Sequence, residues 1–350
     1  MEYIIPLLST FLISFFAIKL MKPIAVKTGL VDTPNVRKKH VGSIPLIGGI
    51  SIFIGVFFTA LFFIEPNDAL KIYLSSIAMI LILGVFDDMY DLSVKLRIGV
   101  QILVASLMIF GADFYLHSFG SVLGFFELEL GYLGVVITIL AVIGSINAFN
   151  MVDGIDGLAG MLSLVSFSSL LFLLWRVESS WHLVPLLFIA ALLAYLIFNL
   201  GWPSKSLTKI FMGDAGSMLI GLTVVWLLVI GATPNLGAHT QAFRPVTALY
   251  LIAIPLMDMA AIMYRRIKKG VSPFKPDREH LHHIFERAGY NRKQTLVIIT
   301  SFASLIAMIG CISELYLVPE WIMFVGFIVL FLTYNYALMH VWKILTFIRR

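Results

Sequence analysis

Four polar clusters interrupt an otherwise apolar sequence, and their side chains can bind metal ions, phosphate or protons. They comprise the carboxylates Asp87 and Asp88; the group Asn147, Asn150, Asp153 and Asp156; the single acid Asp214; and the histidines His280, His282 and His283. Carboxylate and amide oxygens are ligands of Mg²⁺. Histidine can bind zinc, act in acid–base chemistry or donate a hydrogen bond to phosphate. At the ends of apolar segments, such groups are costly to keep unless something binds to them.

The first cluster combines adjacent acids with nearby cations. Asp87 and Asp88 end an apolar run, where they repel each other and lose hydration, so they require a cation, a proton or basic partners. Asp87 lies four residues before Asp91, and the two share a face if the helix continues. The cations Lys95 and Arg97 follow and can bind phosphate oxygens. The alternative is a helix end with a solvated acidic loop.

The second cluster places two acids within a glycine-rich turn. Asp153 and Asp156 are three residues apart, which again predicts one helical face. Gly154 and Gly157 lack side chains, so the backbone there can approach a ligand closely. A helix–helix turn with capping acids explains the glycines, but it does not explain two acids and two amides together.

The third and fourth clusters are a lone acid and a histidine-rich box. Asp214 is the only acid in its loop, so it is either a helix cap or a metal ligand. Phe211 precedes it and can stack on a base or pack internally. Upstream of the histidines, Arg265 and Arg266 begin a basic stretch. The histidines could bind zinc, act in acid–base chemistry or bind phosphate, and the basic surroundings favour phosphate.

The composition indicates a membrane protein. The 350 residues are 60% hydrophobic and 13% charged, whereas soluble domains average about 45–50% apolar and about 25% charged residues. Eleven segments are apolar enough to span a bilayer as helices. They lie near 3–21, 44–64, 70–86, 98–116, 132–149, 159–175, 183–200, 215–232, 246–264, 295–313 and 321–342. We therefore predict an all-α polytopic membrane protein with about 11 transmembrane helices in a single domain, 1–350.

Charge asymmetry predicts the orientation. Basic residues follow the first apolar segment and none precedes it, so we expect a periplasmic N-terminus and a cytoplasmic C-terminus. With this topology, 22 of the 25 Lys and Arg residues are cytoplasmic. The cytoplasmic loops near 22–43, 87–97, 150–158, 201–214 and 265–294 contain all four clusters except Asn147, which lies near the end of the preceding span. A basic run at 37–40 is either a topology signal or a phosphate contact. Cys311 is the only cysteine, so the sequence has neither a disulfide framework nor a thiolate metal site.

Together the clusters provide the groups needed for Mg²⁺-assisted phosphoryl transfer, in which cations neutralise phosphates and a positioned group activates the nucleophile. The long apolar segments imply that one substrate is a lipid. Two other classes of membrane protein are alternatives. A proton-coupled transporter would use Asp258, an acid inside a span, although we expect Asp258 to pair with Arg265 or Arg266. A CDP-alcohol phosphotransferase would need further spaced acids and arginines around the Asp-Gly pair, and these are missing.

Several motifs carry a family resemblance. DDMYDLSVK, NAFNMVDGIDG, FMGDAGS and HLHH occur in this order, together with DTPNVRKKH, IPLIGGIS and SPFKPDREHLHH. The chain thereby resembles the polyprenyl-phosphate N-acetylhexosamine-1-phosphate transferases, and most closely their GlcNAc-transferring branch. The resemblance implies that undecaprenyl phosphate attacks the β-phosphorus of UDP-GlcNAc, giving undecaprenyl-pyrophosphoryl-GlcNAc and UMP. This would be the first lipid-linked step of a cell-surface glycan, such as O-antigen or enterobacterial common antigen.

The resemblance also implies roles for individual residues. Asp214 and Asn150 would bind Mg²⁺, for which Mn²⁺ could substitute. Asp87 and Asp88 would orient or deprotonate the lipid phosphate. The nucleotide site would be lined by Asp153 and Asp156, with Phe211 stacked on uracil. The expected catalytic residues are Asp87, Asp88, Asp153, Asp156 and His280. Substrate binding is expected from Lys95, Arg97, Asn147, Phe211, Arg265, Arg266, His282 and His283.

The implied location and partners follow from the same resemblance. We expect a multi-pass protein of the bacterial inner membrane whose active site faces the cytoplasm. Its partners would be UDP-GlcNAc, undecaprenyl phosphate and membrane lipid, with no nucleic acid. A homodimer is compatible with the sequence.

Overall fold

The computed structural model describes residues 3–33, 42–202, 209–234, 241–272 and 280–340. The basic run at 37–40 and parts of three expected cytoplasmic loops lie outside these residues. The helices are α1 Ile4–Thr28, α2 Gly48–Phe63, α3 Asp68–Tyr90, α4 Val94–Ser106, α5 Leu133–Val152, α6 Leu158–Arg176, α7 Leu183–Leu200, α8 Gly213–Ala232, α9 Pro245–Leu251, α10 Ala253–Lys268, α11 Leu281–Arg287, α12 Arg292–Leu315 and α13 Glu320–Met339. Two short strands, β1 Val31–Asp32 and β2 Ile44–Pro45, pair antiparallel.

Helices dominate the structure, which confirms a polytopic all-α membrane protein. Within the described ranges, nine helices are long and apolar enough to cross a membrane, or ten if α9 and α10 form one span. These two helices meet at a bend of 83°. The expected second span is the 16-residue helix α2, which is about 24 Å long and shorter than a hydrocarbon core of about 30 Å. The count therefore differs from the eleven spans expected.

Helix α8 lies at the centre of the bundle. Every residue from Ala215 to Ala232 is buried, and α2, α3, α5 and α6 pack around it. A helix that is apolar on all sides is typical of such a buried position. The helix begins at Gly213, and Asp214 lies in its first turn. This buried helix therefore carries an acidic group at its N-terminus.

Glycines allow the neighbouring helices to approach the first turn of α8. A Cβ on Gly84 of α3 would lie 2.2 Å from the Cα of Ala215, and a Cβ on Gly49 of α2 would lie 2.2 Å from the N of Gly216. Contacts this short are incompatible with any larger residue unless the backbone moves. Because Gly84 lies one turn before Asp88, its close packing also fixes where the acids of α3 meet α8.

Candidate active site

A cavity of about 1390 Å³ opens where the ends of α3, α5, α7 and α8 meet. Of the predicted site residues, its lining includes Asp87, Asp88, Asn150, Asp153, Asp156, Phe211, Asp214 and His283. All four clusters therefore contribute at least one side chain to a single cavity, as the sequence predicted.

Asp88 binds the N-terminal end of α8. Its Oδ1 accepts a hydrogen bond from the backbone N of Asp214 at 2.9 Å, and its Oδ2 accepts one from the N of Ala215 at 3.2 Å. The first turn of a helix has unsatisfied N–H groups and a partial positive charge, so a carboxylate stabilises it. Gly213 has a φ of 71°, and a Cβ there would lie 2.5 Å from Asp88 Oδ2. Glycine is therefore required at this position for both reasons.

Asp87 is held by two donors. Its Oδ2 accepts a hydrogen bond from Arg97 Nη1 at 2.9 Å, and its Oδ1 accepts one from the backbone N of Leu92 at 2.8 Å. The helix ends just beyond it, because Asp91 adopts a left-handed φ of 50°. Asp87 and Asp91 would share a helical face only if the helix continued, and it does not. Arg97 balances Asp87 and also lies close enough to influence Asp214.

Asn150 contacts the acid at the start of α8. Its Nδ2 donates to Asp214 Oδ1 at 2.7 Å and to Ser217 Oγ at 3.0 Å. Its Oδ1 accepts no hydrogen bond from the residues that the structure describes, so this oxygen is open to another ligand. The contact joins the end of α5 to the start of α8, and it brings together the two residues expected to bind Mg²⁺.

The turn after α5 carries two more acids. Helix α5 ends at Val152, and residues 153–157 form a turn. The prediction that Asp153 and Asp156 share a helical face is therefore wrong. Asp153 faces the cavity, where a ligand or water can reach it. Its pKa is raised above the usual value, first by partial desolvation and then by the negative charges of Asp214 and Asp156.

The carboxylates that line this cavity are only partly neutralised by basic side chains of the described residues, so a bound cation would stabilise them. In the described ranges, Asp87 is paired with Arg97 and Asp156 with Lys209, whereas Asp88, Asp153 and Asp214 have no ion-pair partner. No three His, Cys, Asp or Glu side chains of the described residues are arranged as a protein-only metal cage. Mg²⁺ usually takes one or two carboxylates, with water and substrate phosphates completing its shell. The donors present therefore fit Mg²⁺ better than zinc.

The segment before α8 forms one wall of the cavity. Phe211 pairs with the strand region near Leu46, where its N donates to the O of Pro45 at 2.9 Å. Lys209 Nζ lies 2.6 Å from Asp156 Oδ2 and 5.1 Å from the centroid of the Phe211 ring. A cation, an anion and an aromatic ring thus stand together, although sequence reasoning had assigned Lys209 no role in the site.

Asn199 also lines the cavity, although the sequence analysis did not select it as a site residue. This buried amide near the end of α7 accepts a hydrogen bond at Oδ1 from the N of Gly157 (2.7 Å) and donates one from Nδ2 to the O of Ile210 (2.9 Å). It therefore ties the acidic turn after α5 to the segment that precedes Asp214. The available signal was a single amide at the end of an apolar span.

The histidine box divides among three environments. His280 Nδ1 lies 3.0 Å from Asp258 Oδ2. His282 is buried, and a Cβ on Gly154 would lie only 2.0 Å from its Cε1. His283 lines the cavity, and its Nδ1 lies 3.3 Å from Glu286 Oε2. Of the three histidines, only His283 therefore lines the cavity.

The remaining predicted residues lie outside the cavity lining. Asn147 Nδ2 donates to Gln101 Oε1 at 3.0 Å, between α5 and α4. Lys95 is exposed at the start of α4, and Arg266 is buried in the last turn of α10. The predicted residues outside the lining are Lys95, Arg97, Asn147, Arg265, Arg266, His280 and His282. Cations that do line it, and that the sequence reasoning had not selected, are Lys209, Arg287 and Arg292.

The fold and cavity define a polytopic membrane protein with an acidic, cation-seeking site at one end of its helices. Residues 70–232 match the sequence model of a protein family described as "Glycosyl transferase family 4". The chain is 48% identical to an undecaprenyl-phosphate alpha-N-acetylglucosaminyl 1-phosphate transferase of Pasteurella multocida, covering 99% of this chain and 96% of the relative. It is 45% identical to the Escherichia coli K12 protein of the same name, covering 98% and 93% respectively. The chain therefore belongs to glycosyl transferase family 4, and the resemblance of its motifs is confirmed.

Proposed function

We propose that this enzyme transfers GlcNAc-1-phosphate from UDP-GlcNAc to undecaprenyl phosphate, releasing UMP. The observation that carries the proposal is the cavity in which Asp88, Asp153 and Asp214 lie together without an ion-pair partner among the described residues. Such a site suits two phosphorylated substrates only if a cation accompanies them, because phosphates and carboxylates otherwise repel each other. The names of the relatives support the acceptor and the transferred group.

The cation in this proposal is Mg²⁺, held by Asp214 and by Asn150 Oδ1. When bound, it neutralises phosphate charge and polarises the phosphorus under attack. Asp88 keeps the start of α8 in place through its two backbone hydrogen bonds. Asp87 holds Arg97 beside Asp214, so that one fixed positive charge stands next to the acids.

The uridine end of the donor fits the wall formed by Phe211 and Lys209. An aromatic ring can stack on a base, and the ammonium group of Lys209 is held between the ring and Asp156. The cations Arg287, at the end of α11, and Arg292, at the start of α12, line the same cavity. They supply positive charge for the pyrophosphate.

The orientation remains part of the proposal. The lipid phosphate would enter from the inner leaflet, because 22 of 25 basic residues fall on the side of the cavity in the expected topology. The product would then be made on the cytoplasmic face of the bacterial inner membrane. The transporter hypothesis is not favoured, since transporter sites lie near the bilayer midplane and these acids lie at helix ends.

A direct assay tests the proposal. Purified protein in detergent is incubated with UDP-[³H]GlcNAc and undecaprenyl phosphate, and both labelled lipid and UMP are measured. We expect equimolar products with Mg²⁺, retention of some activity with Mn²⁺, and loss of activity with EDTA that added Mg²⁺ reverses. Asp214→Asn, which keeps the side-chain shape, should abolish transfer. No labelled lipid, or transfer that is insensitive to EDTA and to Asp214→Asn, would contradict the proposal.

A further inference from the structure

A buried carboxylate outside the cavity joins three separate helices. Asp258 of α10 is 1% exposed. Its Oδ2 lies 3.0 Å from His280 Nδ1, and its Oδ1 accepts hydrogen bonds from the N of Leu281 at 3.2 Å and from Tyr334 Oη at 3.0 Å. This arrangement differs from the expected pairing with Arg265 or Arg266. Instead, Asp258 binds the start of α11 on one side and a tyrosine of α13 on the other.

Burial of the Asp258 carboxylate costs free energy unless its hydrogen bonds are made within the protein. Burying a carboxylate requires donors that replace its water, and removing one donor leaves an unsatisfied charge. Here the donors come from two elements distant in the sequence, 22 and 76 residues from Asp258. The carboxylate therefore holds α11 and α13 in a fixed relation to α10.

Helix α11 depends on such external contacts. It has only seven residues, Leu281–Arg287, and isolated helices of this length are unstable in water. His280 precedes it with an extended backbone and makes no side-chain cap. The Asp258 carboxylate accepts the N–H of Leu281 instead, so it supplies the cap from another helix.

Helix α11 also carries part of the cavity wall. His283, Glu286 and Arg287 line the cavity, and Arg292 follows at the start of α12. Glu286 Oε1 accepts a hydrogen bond from Arg292 Nε at 3.2 Å, which links this wall to α12. A shift of α11 would move these groups relative to Asp153 and Asp214, whereas Asp87, Asp88 and Asp214 are held by hydrogen bonds that do not involve α11.

We propose that Asp258 and Tyr334 are positioning residues, which fix α11 so that its cavity side chains meet the nucleotide-sugar. This inference rests on the proposed function, because it assigns α11 to binding of the donor substrate. Tyr334 acts through Asp258, and Asp258 acts through His280 and the N-terminus of α11. The last described helix, α13, thereby contributes to a site that it does not line.

Steady-state kinetics with each substrate varied separately test this role. Tyr334→Phe removes one hydrogen bond, and we expect KM for UDP-GlcNAc to rise about two- to tenfold, the range that corresponds to one hydrogen bond. KM for undecaprenyl phosphate should not change, and kcat should change less than KM. Asp258→Asn should raise the same KM further. A variant that is merely less folded loses active enzyme, and so lowers kcat while both KM values stay the same.

Two comparisons sharpen the test. Tyr250→Phe is a matched control, because Tyr250 Oη also donates to the α13 side, to the O of Met323 at 2.7 Å, but makes no contact with Asp258. It should leave both KM values unchanged. In the double variant Asp258→Asn/Tyr334→Phe, the rise in KM should be smaller than the product of the two single rises, since both changes act through one side chain.

Equilibrium binding separates failure of this inference from failure of the proposed function. If the native protein binds UDP-GlcNAc but transfers nothing, the proposed reaction fails, and the Kd of Tyr334→Phe still tests the positioning role. A Kd and a KM for UDP-GlcNAc that are unchanged in both Tyr334→Phe and Asp258→Asn would overturn the inference. The inference would also be overturned if Tyr250→Phe raised the KM for UDP-GlcNAc as much as Tyr334→Phe does. A native protein that does not bind UDP-GlcNAc would overturn it as well.

Discussion

Asp88 at the end of α3 accepts a hydrogen bond from the backbone N of Asp214, 2.9 Å away, in the first turn of α8. Two acids of the cavity are thus linked directly through a helix terminus. The partial positive charge of the α8 N-terminus stabilises Asp88, while the side chain of Asp214 is left to face Asn150. The two acids therefore have separate tasks: Asp88 holds the start of α8, and the side chain of Asp214 faces the cavity, where a ligand can bind.

Substitution of Asp88 distinguishes its hydrogen bonds from its charge. Asp88→Asn keeps an oxygen acceptor, whereas Asp88→Ala removes both acceptors, and loss of a helix cap costs about 0.5–2 kcal/mol. We expect the melting temperature in detergent to fall more for Asp88→Ala than for Asp88→Asn. Both should lower transfer at least about tenfold, because each removes negative charge from the cation site. Equal melting temperatures for the two variants would contradict a capping role.

A glycine on α3 should prove as important as the acids. Gly84→Ala places a Cβ 2.2 Å from the Cα of Ala215, so α3 must move away from α8. Overpacking of this kind costs about 1–3 kcal/mol, and a displacement of about 1 Å can reduce catalysis about a hundredfold. We expect activity to fall more than about tenfold while circular dichroism still shows a helical protein.

The matched control for this change is Gly99→Ala in α4, where an added Cβ meets nothing within 4 Å. Alanine is about 1 kcal/mol more favourable than glycine in a helix, so this variant should be active and at least as stable as the native protein. If Gly84→Ala behaves like Gly99→Ala, the close packing of α3 on α8 does not position the acids.

The sequence was sufficient to predict the helical class and much of the cavity. Asp87, Asp153 and Asp214 are polar residues at the ends of apolar segments, and the cost of placing them there makes them visible without a structure. Where each helix stops was less predictable. Asp91 has a positive φ although it is not glycine, and the turn after Val152 removed the expected helical face of Asp153 and Asp156.

Contacts between distant helices could not be predicted from spacing. Asn199 looks like an isolated amide in an apolar span until α7 is placed beside the two loops that it joins. Tyr334 and Asp258 are 76 residues apart, and neither has a neighbour in the sequence that indicates the other. Hydropathy likewise does not reveal the bend between α9 and α10 or the short length of α2, and for these reasons the eleven expected spans are not all confirmed as membrane-crossing helices.

Lys209 provides a test of the nucleotide wall. Its ammonium group contacts Asp156 and the Phe211 ring, and both members of the ion pair are partly exposed, so the pair adds little to stability. We expect Lys209→Met to raise KM for UDP-GlcNAc several-fold with little change in melting temperature. Lys209→Arg keeps the charge and should lie between Lys209→Met and the native enzyme. A fall in kcat with no change in KM would argue against a role in donor binding.

The buried His282 should make stability depend on pH. Burial first, and then the nearby His283, His280 and Arg292, lower its pKa from 6.5 to about 3. Above about pH 6.5 the ring is neutral in both the folded and unfolded states. As the pH falls below 6.5, the unfolded chain takes up a proton that the folded protein excludes, so stability is lost progressively towards pH 3.

Melting temperatures of the native protein and His282→Gln, measured between pH 7.5 and 5, test this dependence. Glutamine does not titrate, so His282→Gln lacks this one source of acid destabilisation but keeps every other titrating group. It should be less stable at pH 7.5, because the ring that packs on Gly154 is gone. The difference should then narrow as the pH falls, by at most about 1.4 kcal/mol per pH unit. A difference that stays constant or widens would show that His282 does not remain neutral in the fold.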